Sequence, residues 1–428
     1  MKVLILGSGG REHALAWRLS RDPQVTEIIT APGNPGTAAL GRNFPVNLGS
    51  PDEILALAVD QLVDLTIVGP EAPLDGGVVD RFQRADWPIV GPTRRGAALE
   101  CSKAHAKAFM DRFQIPTARF VVCDDPAVAL DVVAGEAFGF PVVVKADGLA
   151  AGKGVTVAAD RAEAEAAVRA AMVDRQFGDS GSRVVIEECL TGPEVSMFFL
   201  LDGASSIYLG SAQDHKRIFD DDRGPNTGGM GAFSPSPLVT AELLSDVTES
   251  IVRRVIDGHS LESDPYRGFL YVSLMLTPMG PKVIEFNVRF GDPEAQALLP
   301  LMDGRIAGVL MASAMGSIDG KWLSANTDKA VGVVLASRGY PASSESGVPI
   351  EGLERAAAIP GVTVFHAATK MEDGRVVTAG GRVLTVVGRG ATFEDAMATA
   401  YSGVDAIHFD GMQFRRDIGK KAFGQTMK

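Results

Sequence analysis

The sequence is short of cysteine and of positive charge, and each shortage excludes a class of protein. Among its 428 residues only three are cysteines, Cys101, Cys123 and Cys189. Their scattered positions and odd number provide neither a disulfide framework nor the spacing of a zinc site. The formal net charge of −12 argues against a nucleic-acid-binding surface, because such surfaces need clustered lysine and arginine. We therefore expect reduced thiols, as in the cytoplasm, and no nucleic-acid partner.

Long hydrophobic runs are also missing. The longest apolar stretches, residues 195–201 and 269–276, are as long as strands and far shorter than a membrane span. The apolar run at residues 3–6 turns directly into glycines and is too short for the core of a signal peptide. We therefore expect a cytoplasmic protein with no membrane partner.

The distribution of apolar runs predicts three domains, which is also the natural number for 428 residues. In residues 1–100, short apolar runs that end at glycine alternate with plausible helices, as in a doubly wound α/β domain. Residues 101–325 mix strands and helices, and residues 211–234 within them are expected to be a glycine-rich polar loop. Residues 326–428 contain several short β-runs and a helix, which predicts an α+β domain.

The first glycine-rich segment, residues 7–10, lies between a predicted strand and a predicted helix. Glycines let backbone amides approach a phosphate, and the start of a helix adds partial positive charge. A dinucleotide-binding fingerprint is excluded, because Glu12 stands where the third glycine of that motif belongs. The segment predicts either an anion-binding turn or a tight turn that serves packing alone.

A second small-residue loop carries two lysines. Residues 145–155 place Lys145 at the end of a predicted strand and Lys153 between two glycines. Such a loop can fold over a triphosphate while two ammonium groups neutralise its charge. It is not a Walker A motif, since the G-x-x-x-x-G-K-[ST] order is absent. The alternative is a flexible hairpin with solvated lysines.

Residues 285–294 begin with alternating polar and apolar positions. Because side chains two apart in a strand share a face, Glu285, Asn287 and Arg289 point the same way. A carboxylate beside a carboxamide suits magnesium, which prefers oxygen ligands, and the arginine could hold an anion next to it. The pattern predicts a metal site, with an exposed polar strand face as the alternative.

Two further segments fit a nucleotide site less specifically. The apolar run from residue 185 leads through Glu187 and Glu188 into a loop, and Glu194 follows. Such a hinge could offer backbone groups to an adenine edge and a carboxylate to ribose. Residues 213–217 and 224–231 offer basic groups and accessible backbone, although a solvated charged loop is the alternative. The histidines outside these segments show no metal spacing and are expected to serve structure.

Together these segments resemble the phosphoribosylamine–glycine ligase family, also called glycinamide ribonucleotide synthetases, within the ATP-grasp superfamily. The resemblance covers the whole chain, and several motifs are long and nearly uninterrupted. The motifs that carry it are residues 7–14, 69–74, 145–155, 213–217, 224–231, 285–294, 365–367 and 380–384. The resemblance implies an N-terminal doubly wound α/β domain, a central ATP-grasp domain with a mobile lid at about residues 117–190, and a C-terminal α+β domain.

The resemblance also implies a nucleotide site and a metal site. The residues expected to bind ATP are Lys103, Lys145, Gly152, Lys153, Gly154, Glu187, Glu188, Leu190 and Glu194. Among them the lysines would contact phosphates, the residues at 187, 188 and 190 would line the adenine pocket, and Glu194 would hold the ribose. Glu285 and Asn287 would ligate Mg²⁺ or Mn²⁺.

The implied enzyme is an ATP-dependent ligase with glycine and 5-phosphoribosylamine as substrates. It would make glycinamide ribonucleotide, ADP and phosphate through a glycyl phosphate, and would act as a monomer. The residues expected to act in catalysis are Arg289, Lys216 and Asp292. The residues expected to bind the substrates are Gly9, Gly10, Arg11, Asp214, His215, Asn226 and Thr227.

Two alternatives keep the same fold. One is another ATP-grasp enzyme that acts on a different acid, such as a biotin-dependent carboxylase subunit or a formate-using transformylase. The other is a nucleotide-binding or scaffold protein without catalysis. The long match over residues 213–231 argues against the first, and retention of Lys145, Lys153 and the Glu285–Asn287 pair argues against the second.

Overall fold

The structure, a computed structural model, describes residues 1–149, 154–319 and 323–424. Two of the predicted ATP-binding residues, Gly152 and Lys153, lie outside the described residues. Sheets of five, four and eight strands organise the described part of the chain, and three two-stranded ribbons complete it. No helix among the described residues is long and apolar enough to cross a membrane.

The N-terminal part is a parallel five-stranded sheet with the order β3-β2-β1-β4-β5. Its strands are β1 (Lys2–Gly7), β2 (Glu27–Pro32), β3 (Arg42–Asn43), β4 (Leu65–Val68) and β5 (Ile89–Val90). Its helices are α1 (Gly10–Leu19), α2 (Pro35–Ala38), α3 (Pro51–Asp60), α4 (Glu71–Asp75), α5 (Val78–Gln83) and α6 (Arg94–Cys101). Strands β1 and β4 are almost wholly buried, as their continuous apolar runs require. The order confirms the predicted doubly wound fold, and it reverses between β1 and β4, where such sheets bind ligands.

The next part is an antiparallel four-stranded sheet with the order β6-β9-β7-β8. Helix α7 (Lys103–Arg112) leads into it. The strands are β6 (Phe120–Cys123), β7 (Val142–Ala146), β8 (Val155–Ala158) and β9 (Val184–Glu188), and the helices are α8 (Pro126–Ala134) and α9 (Arg161–Val168). The apolar side chains of this sheet and its helices form a separate small core. This separation lets the sheet act as a distinct body beside the rest of the chain.

The largest sheet has eight antiparallel strands in the order β16-β15-β10-β11-β14-β19-β23-β20. They are β10 (Glu194–Asp202), β11 (Ser206–Asp214), β14 (Gly231–Ser234), β15 (Arg267–Thr277), β16 (Gly280–Asn287), β19 (Lys329–Ala336), β20 (Val362–His366) and β23 (Arg382–Gly390). Pairing of β14 with β19 carries this sheet across the boundary predicted between residues 325 and 326. The C-terminal strands are therefore hydrogen-bonded to the central part of the chain.

The remaining elements pack on the edges and faces of these sheets. The ribbons are β12 (Arg217–Phe219) with β13 (Arg223–Asn226), β17 (Met302–Gly304) with β18 (Leu323–Ala325), and β21 (Thr369–Glu372) with β22 (Arg375–Thr378). The helices are α10 (Ala241–Val247), α11 (Arg253–Leu261), α12 (Glu294–Leu298), α13 (Ile306–Met315), α14 (Leu353–Ala357) and α15 (Phe393–Ala406).

The prediction that residues 211–234 form a loop is wrong in part. This stretch contains the end of β11, the hairpin β12–β13 and the strand β14. Strand β14 pairs with β11 on one side and with β19, about one hundred residues later, on the other. Local composition, which is rich in glycine and charge, does not reveal a partner that distant in the sequence.

A buried arginine joins the hairpin to the C-terminal part. Arg415 is 1% exposed, and its Nε lies 2.7 Å from Asp417 Oδ1 and its Nη2 2.6 Å from Asp417 Oδ2. Its Nη1 donates to Asp222 at 2.8 Å and to the Arg217 carbonyl at 3.1 Å. The guanidinium thus neutralises two carboxylates and fixes both ends of the hairpin.

Replacing Asp417 by alanine is expected to lower the free energy of unfolding by about 3 kcal/mol, because Arg415 would keep a buried charge without its bidentate partner. Urea unfolding followed by fluorescence measures the change. Asp410 is a matched control, because its partner Arg338 and Asp410 itself are both exposed, and Asp410→Ala should change the value by under ~0.5 kcal/mol. Equal effects of the two substitutions would contradict this view of Arg415.

Candidate active site

The reversal point of the five-stranded sheet brings two loops together. The loop after β1 contains Gly9, the loop after β4 contains Gly69, and Glu71 begins α4 directly after that loop. Glu12 lies between the loops: its carboxylate accepts the Gly9 N–H at 2.6 Å, and a Cβ on Gly69 would collide with it. Glu12 therefore fills the space that a third glycine would leave for a dinucleotide.

The amides of the first loop are occupied by carboxylates of the chain itself. Besides the Gly9 N–H, the Arg11 N–H donates to Asp292 Oδ2 at 3.3 Å. Arg11 also pairs with Glu12 at 2.7 Å and donates to the Phe290 carbonyl at 3.0 Å. This arrangement favours a packing turn over an anion-binding turn. Contact of Gly9, Gly10 and Arg11 with a substrate stays a prediction.

Arg289 is fixed by two carboxylates from the N-terminal part. Its Nε lies 3.3 Å from Glu71 Oε2, and its Nη2 donates to Glu100. Glu100 also accepts the Val288 N–H at 2.8 Å, so one carboxylate binds both the backbone after β16 and the arginine side chain. The guanidinium is held in a single orientation at the edge where β16 meets the reversal point of the parallel sheet. A fixed cation of this kind can bind an anionic substrate group.

Strand β16 carries the predicted metal pair. Glu285 lies opposite Ser273 of β15, and Asn287 lies opposite Tyr271, so both side chains project from one face of the sheet. Among residues 1–149, 154–319 and 323–424, no hydrogen bond or ion pair engages the Glu285 carboxylate. The same residues contain no group of three or more His, Cys, Asp or Glu that could hold a metal. One carboxylate and one amide fit magnesium bound jointly with phosphate oxygens and water.

Two lysines reach this strand from the four-stranded sheet side. Lys145 is the last residue but one of β7, and its Nζ lies 3.4 Å from the Ile284 carbonyl and 3.1 Å from Glu187 Oε2. Lys103 begins α7 and donates to the Gly148 carbonyl at 3.2 Å. Burial lowers the pKa of Lys103, and the carboxylate of Glu285 opposes that shift. Both ammonium groups therefore lie beside the predicted metal pair, as a polyphosphate site requires.

Part of the lysine loop is described. Gly154 accepts the Ala146 N–H at 2.7 Å, which closes the loop at its base. Asp147 accepts Ser102 Oγ at 3.0 Å and the Ala104 N–H at 2.7 Å, so α7 and the loop are joined. The loop base therefore has a defined geometry, while the predicted contacts of Gly152 and Lys153 concern residues outside the described part.

Models of three domains of a single family match the chain. The phosphoribosylglycinamide synthetase N domain matches residues 1–100, its ATP-grasp (A) domain matches residues 101–295, and its C domain matches residues 330–421. The chain belongs to this family.

Individual relatives agree with the domain matches. The chain is 47% identical to a phosphoribosylamine–glycine ligase of Xanthomonas axonopodis pv. citri over 99% of each chain. A crystal structure of a phosphoribosylamine–glycine ligase from Thermotoga maritima superposes with a TM-score of 0.86 at 34% identity, covering 97% of this chain and 100% of that one. The biotin carboxylase domain of a 2-oxoglutarate carboxylase from Hydrogenobacter thermophilus superposes with a TM-score of 0.73 at 16% identity, covering 96% and 91% of the two chains. At that identity the last likeness shows a common fold alone.

In this phosphoribosylglycinamide synthetase family member, two residues predicted to line the adenine pocket, Glu187 and Glu188, lie in different environments. Glu187 is buried, whereas Glu188 pairs with Arg119 at 2.7 Å and with Lys282 at 3.0 Å. Burial alone would raise the pKa of Glu188, but hydrogen bonds from these partners lower it to about 2. The Glu188 N–H also donates to the Arg119 carbonyl at 3.0 Å. Contact of Glu188 and of the half-buried Leu190 with adenine stays a prediction.

A basic loop of this family member forms an ion-pair cluster. Lys216 Nζ lies 2.7 Å from Glu194 Oε2 and 3.3 Å from Asp214 Oδ1. Desolvation alone would lower the pKa of Lys216, but Asp214 and Glu194 raise it well above its usual value. Thr227 donates to the Lys216 carbonyl through its N–H at 2.7 Å and its hydroxyl at 2.8 Å. Lys216 therefore stays charged, and Thr227 holds its backbone. Asn226, the residue before Thr227, is exposed and ends β13.

The predicted substrate contact of His215 stays a prediction, and the structure places its side chain in the core. Its side chain is 0% exposed, lies against Phe233, and neither ring nitrogen has a partner among the described residues. Burial, with smaller effects of Lys421 and Arg415, lowers the pKa of His215 to about 3. The ring is neutral and fills a core position, because successive residues of an extended segment point to opposite sides.

Sequence reasoning gave no role to several residues that complete the site. Arg382 lies 3.3 Å from Asp292 Oδ1 and donates to the Gly228 carbonyl, and the Tyr340 hydroxyl accepts the Gly228 N–H at 2.9 Å. The C-terminal part therefore holds the glycine-rich loop. The other residues without an assigned role are Glu71, Glu100, Lys107, Tyr271 and Glu294. Glu71, Glu294 and Arg382 lie in the family-like segments 69–74, 285–294 and 380–384, so the sequence could have pointed to them. The other residues lie outside those segments.

Glu294 adds a titratable carboxyl to the centre of the site. It is buried and accepts the Tyr271 hydroxyl at 2.8 Å, and Tyr271 contacts Ser196 at 2.8 Å. Burial and the negative charge of Asp214 raise the pKa of Glu294 to about 7. Its protonated form is therefore favoured relative to that of an exposed glutamate, and the carboxyl interacts with both Arg289 and Lys216.

Proposed function

We propose that this protein joins glycine to 5-phosphoribosylamine at the expense of ATP, giving glycinamide ribonucleotide, ADP and phosphate in de novo purine synthesis. The observation that carries the proposal is the meeting of Lys103 and Lys145 with the Glu285–Asn287 pair. These groups suit a polyphosphate and a divalent ion, and a named phosphoribosylamine–glycine ligase matches the chain over 99% of its length. We expect the enzyme to act as a monomer in the cytoplasm.

The chemistry accounts for the kinds of residue in the site. The carboxylate of glycine is a poor electrophile, because its leaving group would be oxide. Transfer of the terminal phosphoryl group of ATP converts it to glycyl phosphate, whose leaving group is phosphate. The amine of 5-phosphoribosylamine then attacks the carbonyl carbon, the C–N bond forms, and the C–O bond to phosphate breaks. Positioning and charge neutralisation dominate such a reaction, and no protein nucleophile is required.

In the first step the cations act on the nucleotide. Lys103 and Lys145 neutralise phosphate oxygens, and Lys145 is oriented for this by Glu187. Glu285 and Asn287 would hold a divalent ion, magnesium or manganese, which would supply positive charge beside the phosphate oxygens. Glu194, which the Lys216 ammonium group holds in place, accepts the ribose hydroxyls.

In the second step the substrates are held by the opposite side of the site. Arg289, fixed by Glu71 and Glu100, binds an anionic group of a substrate. Lys216 and Asp292 contribute one charge of each sign, and both are fixed by neighbours, Lys216 by Asp214 and Asp292 by Arg382. The four-stranded sheet closes over the nucleotide and excludes water, which would otherwise hydrolyse glycyl phosphate.

ATP-dependent activation of a different acid, such as bicarbonate, is the main competing function, because biotin carboxylases have the same fold. The loop that Arg382 and Tyr340 hold at Gly228 favours the ligase proposal, because it belongs to the motif over residues 224–231 by which the chain resembles phosphoribosylamine–glycine ligases. The fold itself does not distinguish the two functions.

Transfer of a glycine oxygen to phosphate tests the proposed route. With glycine labelled by heavy oxygen in its carboxylate, each phosphate released is expected to carry one labelled oxygen, because the C–O bond of glycyl phosphate breaks on the carbonyl side. Mass spectrometry of the phosphate measures the label. Phosphate without label, formed together with glycinamide ribonucleotide, would contradict the acyl phosphate route.

A further inference from the structure

Lys107 is a second buried lysine on Glu187. It lies on α7, is 2% exposed, and its Nζ is 3.1 Å from Glu187 Oε2. The Nζ of Lys145 lies 3.1 Å from the same oxygen. Glu187 is itself 3% exposed, and its other oxygen, Oε1, is buried without a partner among the described residues. One carboxylate oxygen thus receives two cations, and the other receives none.

The ammonium group of Lys107 is anchored at a second point. It donates to Thr117 Oγ1 at 2.8 Å, and Thr117 donates to the Val283 carbonyl at 2.7 Å. Val283 lies on β16, two residues before Glu285. Lys107 therefore connects α7, the first residues of the four-stranded sheet region and the strand of the predicted metal pair. Its position is determined by three parts of the chain.

Burying a lysine at this position costs desolvation energy that an apolar residue would not. Burial lowers the pKa of Lys107 to about 8 even though Glu187 opposes the shift. An apolar side chain of similar length would fill the space without desolvating a charge, and buried ion pairs are often no more stable than such replacements. The charge at Lys107 is therefore better explained by what it does to Glu187 than by stability.

The geometry points to a positioning residue. We propose that Lys107 and Lys145 together hold Oε2 of Glu187 so that Oε1 is presented to the exocyclic amine of adenine, and that Lys107 thereby sets the preference for adenine nucleotides. This inference rests on the proposed nucleotide site, but not on the identity of the acid or the amine that the enzyme joins. An unpaired buried carboxylate oxygen accepts an N–H group strongly and rejects a purine that lacks one.

Binding of two diphosphates separates this role from a structural one. ADP and purine riboside diphosphate, which lacks only the amine, are compared by calorimetry with magnesium present. The wild-type protein is expected to bind ADP about 10- to 100-fold more tightly, as for a hydrogen bond to a charged group. In Lys107→Met the ratio is expected to fall to about 3-fold or less, because Glu187 is then free to turn toward Lys145.

The matched variant is Thr117→Val, which removes the second anchor of Lys107 and keeps its charge. It is expected to reduce the ratio in the same direction by a smaller factor, and it provides the test if Lys107→Met does not fold. Equal weakening of both nucleotides in either folded variant, with the wild-type ratio retained, would overturn the proposal, since that is the result of a purely structural role. A wild-type ratio near one would also overturn it.

The readout also distinguishes this inference from the proposed reaction. Diphosphate binding needs neither glycine nor 5-phosphoribosylamine. If the ligase reaction were absent while the ratio responded to Lys107→Met as expected, the proposed function would fail and the role of Lys107 would stand. If the reaction were present and the ratio did not respond, the proposed function would stand and the role of Lys107 would fail.

Discussion

Replacing Glu285 by alanine is expected to lower kcat by about 10³-fold, the largest effect of any single substitution in the site. The carboxylate is the charged member of the predicted metal pair, and Asn287 alone would bind a divalent ion weakly. Release of ADP is measured at saturating substrates over a range of magnesium concentrations. The loss should be partly recovered at high magnesium, because the defect lies in metal affinity.

A carboxylate elsewhere on the surface is the control for this experiment. Glu372 is exposed and pairs with Lys370 on the ribbon β21–β22, so Glu372→Ala should leave turnover and its magnesium dependence unchanged. Normal turnover of Glu285→Ala at low magnesium would show that Glu285 is not a metal ligand.

Replacing Lys145 by methionine is expected to raise the KM for ATP and to lower kcat, with a combined loss in kcat/KM of about 10²- to 10³-fold. The ammonium group lies at the end of β7 between Glu187 and the Ile284 carbonyl, where methionine keeps the length of the side chain and removes its charge. Because the charge stabilises phosphate oxygens more as the phosphoryl group transfers, both constants should change.

The matched control is Lys370→Met, an exposed lysine that pairs with Glu372 in the ribbon β21–β22. It should change neither constant. An unchanged kcat/KM in folded Lys145→Met would show that Lys145 does not stabilise the phosphates of ATP.

The sequence was sufficient to predict features that depend on residues close together in the chain. Apolar runs ending at glycine identified β1 and β4, because buried parallel strands have that pattern. The spacing of Glu285 and Asn287 placed both on one face of β16, because the period of a strand is two residues. Each of these predictions required only the geometry of a single element.

Features made by distant segments were missed for the same physical reason. Lys107 and Glu187 are eighty positions apart, and nothing near either residue indicates the other. Strand β14 lies between β11 and β19, and its second partner comes from the C-terminal part, so its own glycine-rich composition predicted a loop. His215 lies in a motif with charged neighbours, but the alternation of an extended chain turns its ring into the core.

The measurement that tests the central proposal most directly is ADP release by the purified protein when each reactant is omitted in turn. With magnesium, ATP, glycine and freshly prepared 5-phosphoribosylamine, we expect steady turnover and a product with the mass of glycinamide ribonucleotide. Omission of glycine or of 5-phosphoribosylamine should abolish that product. ADP release that is indifferent to glycine, or that depends on bicarbonate instead, would contradict the proposed function while leaving the ATP-grasp fold intact.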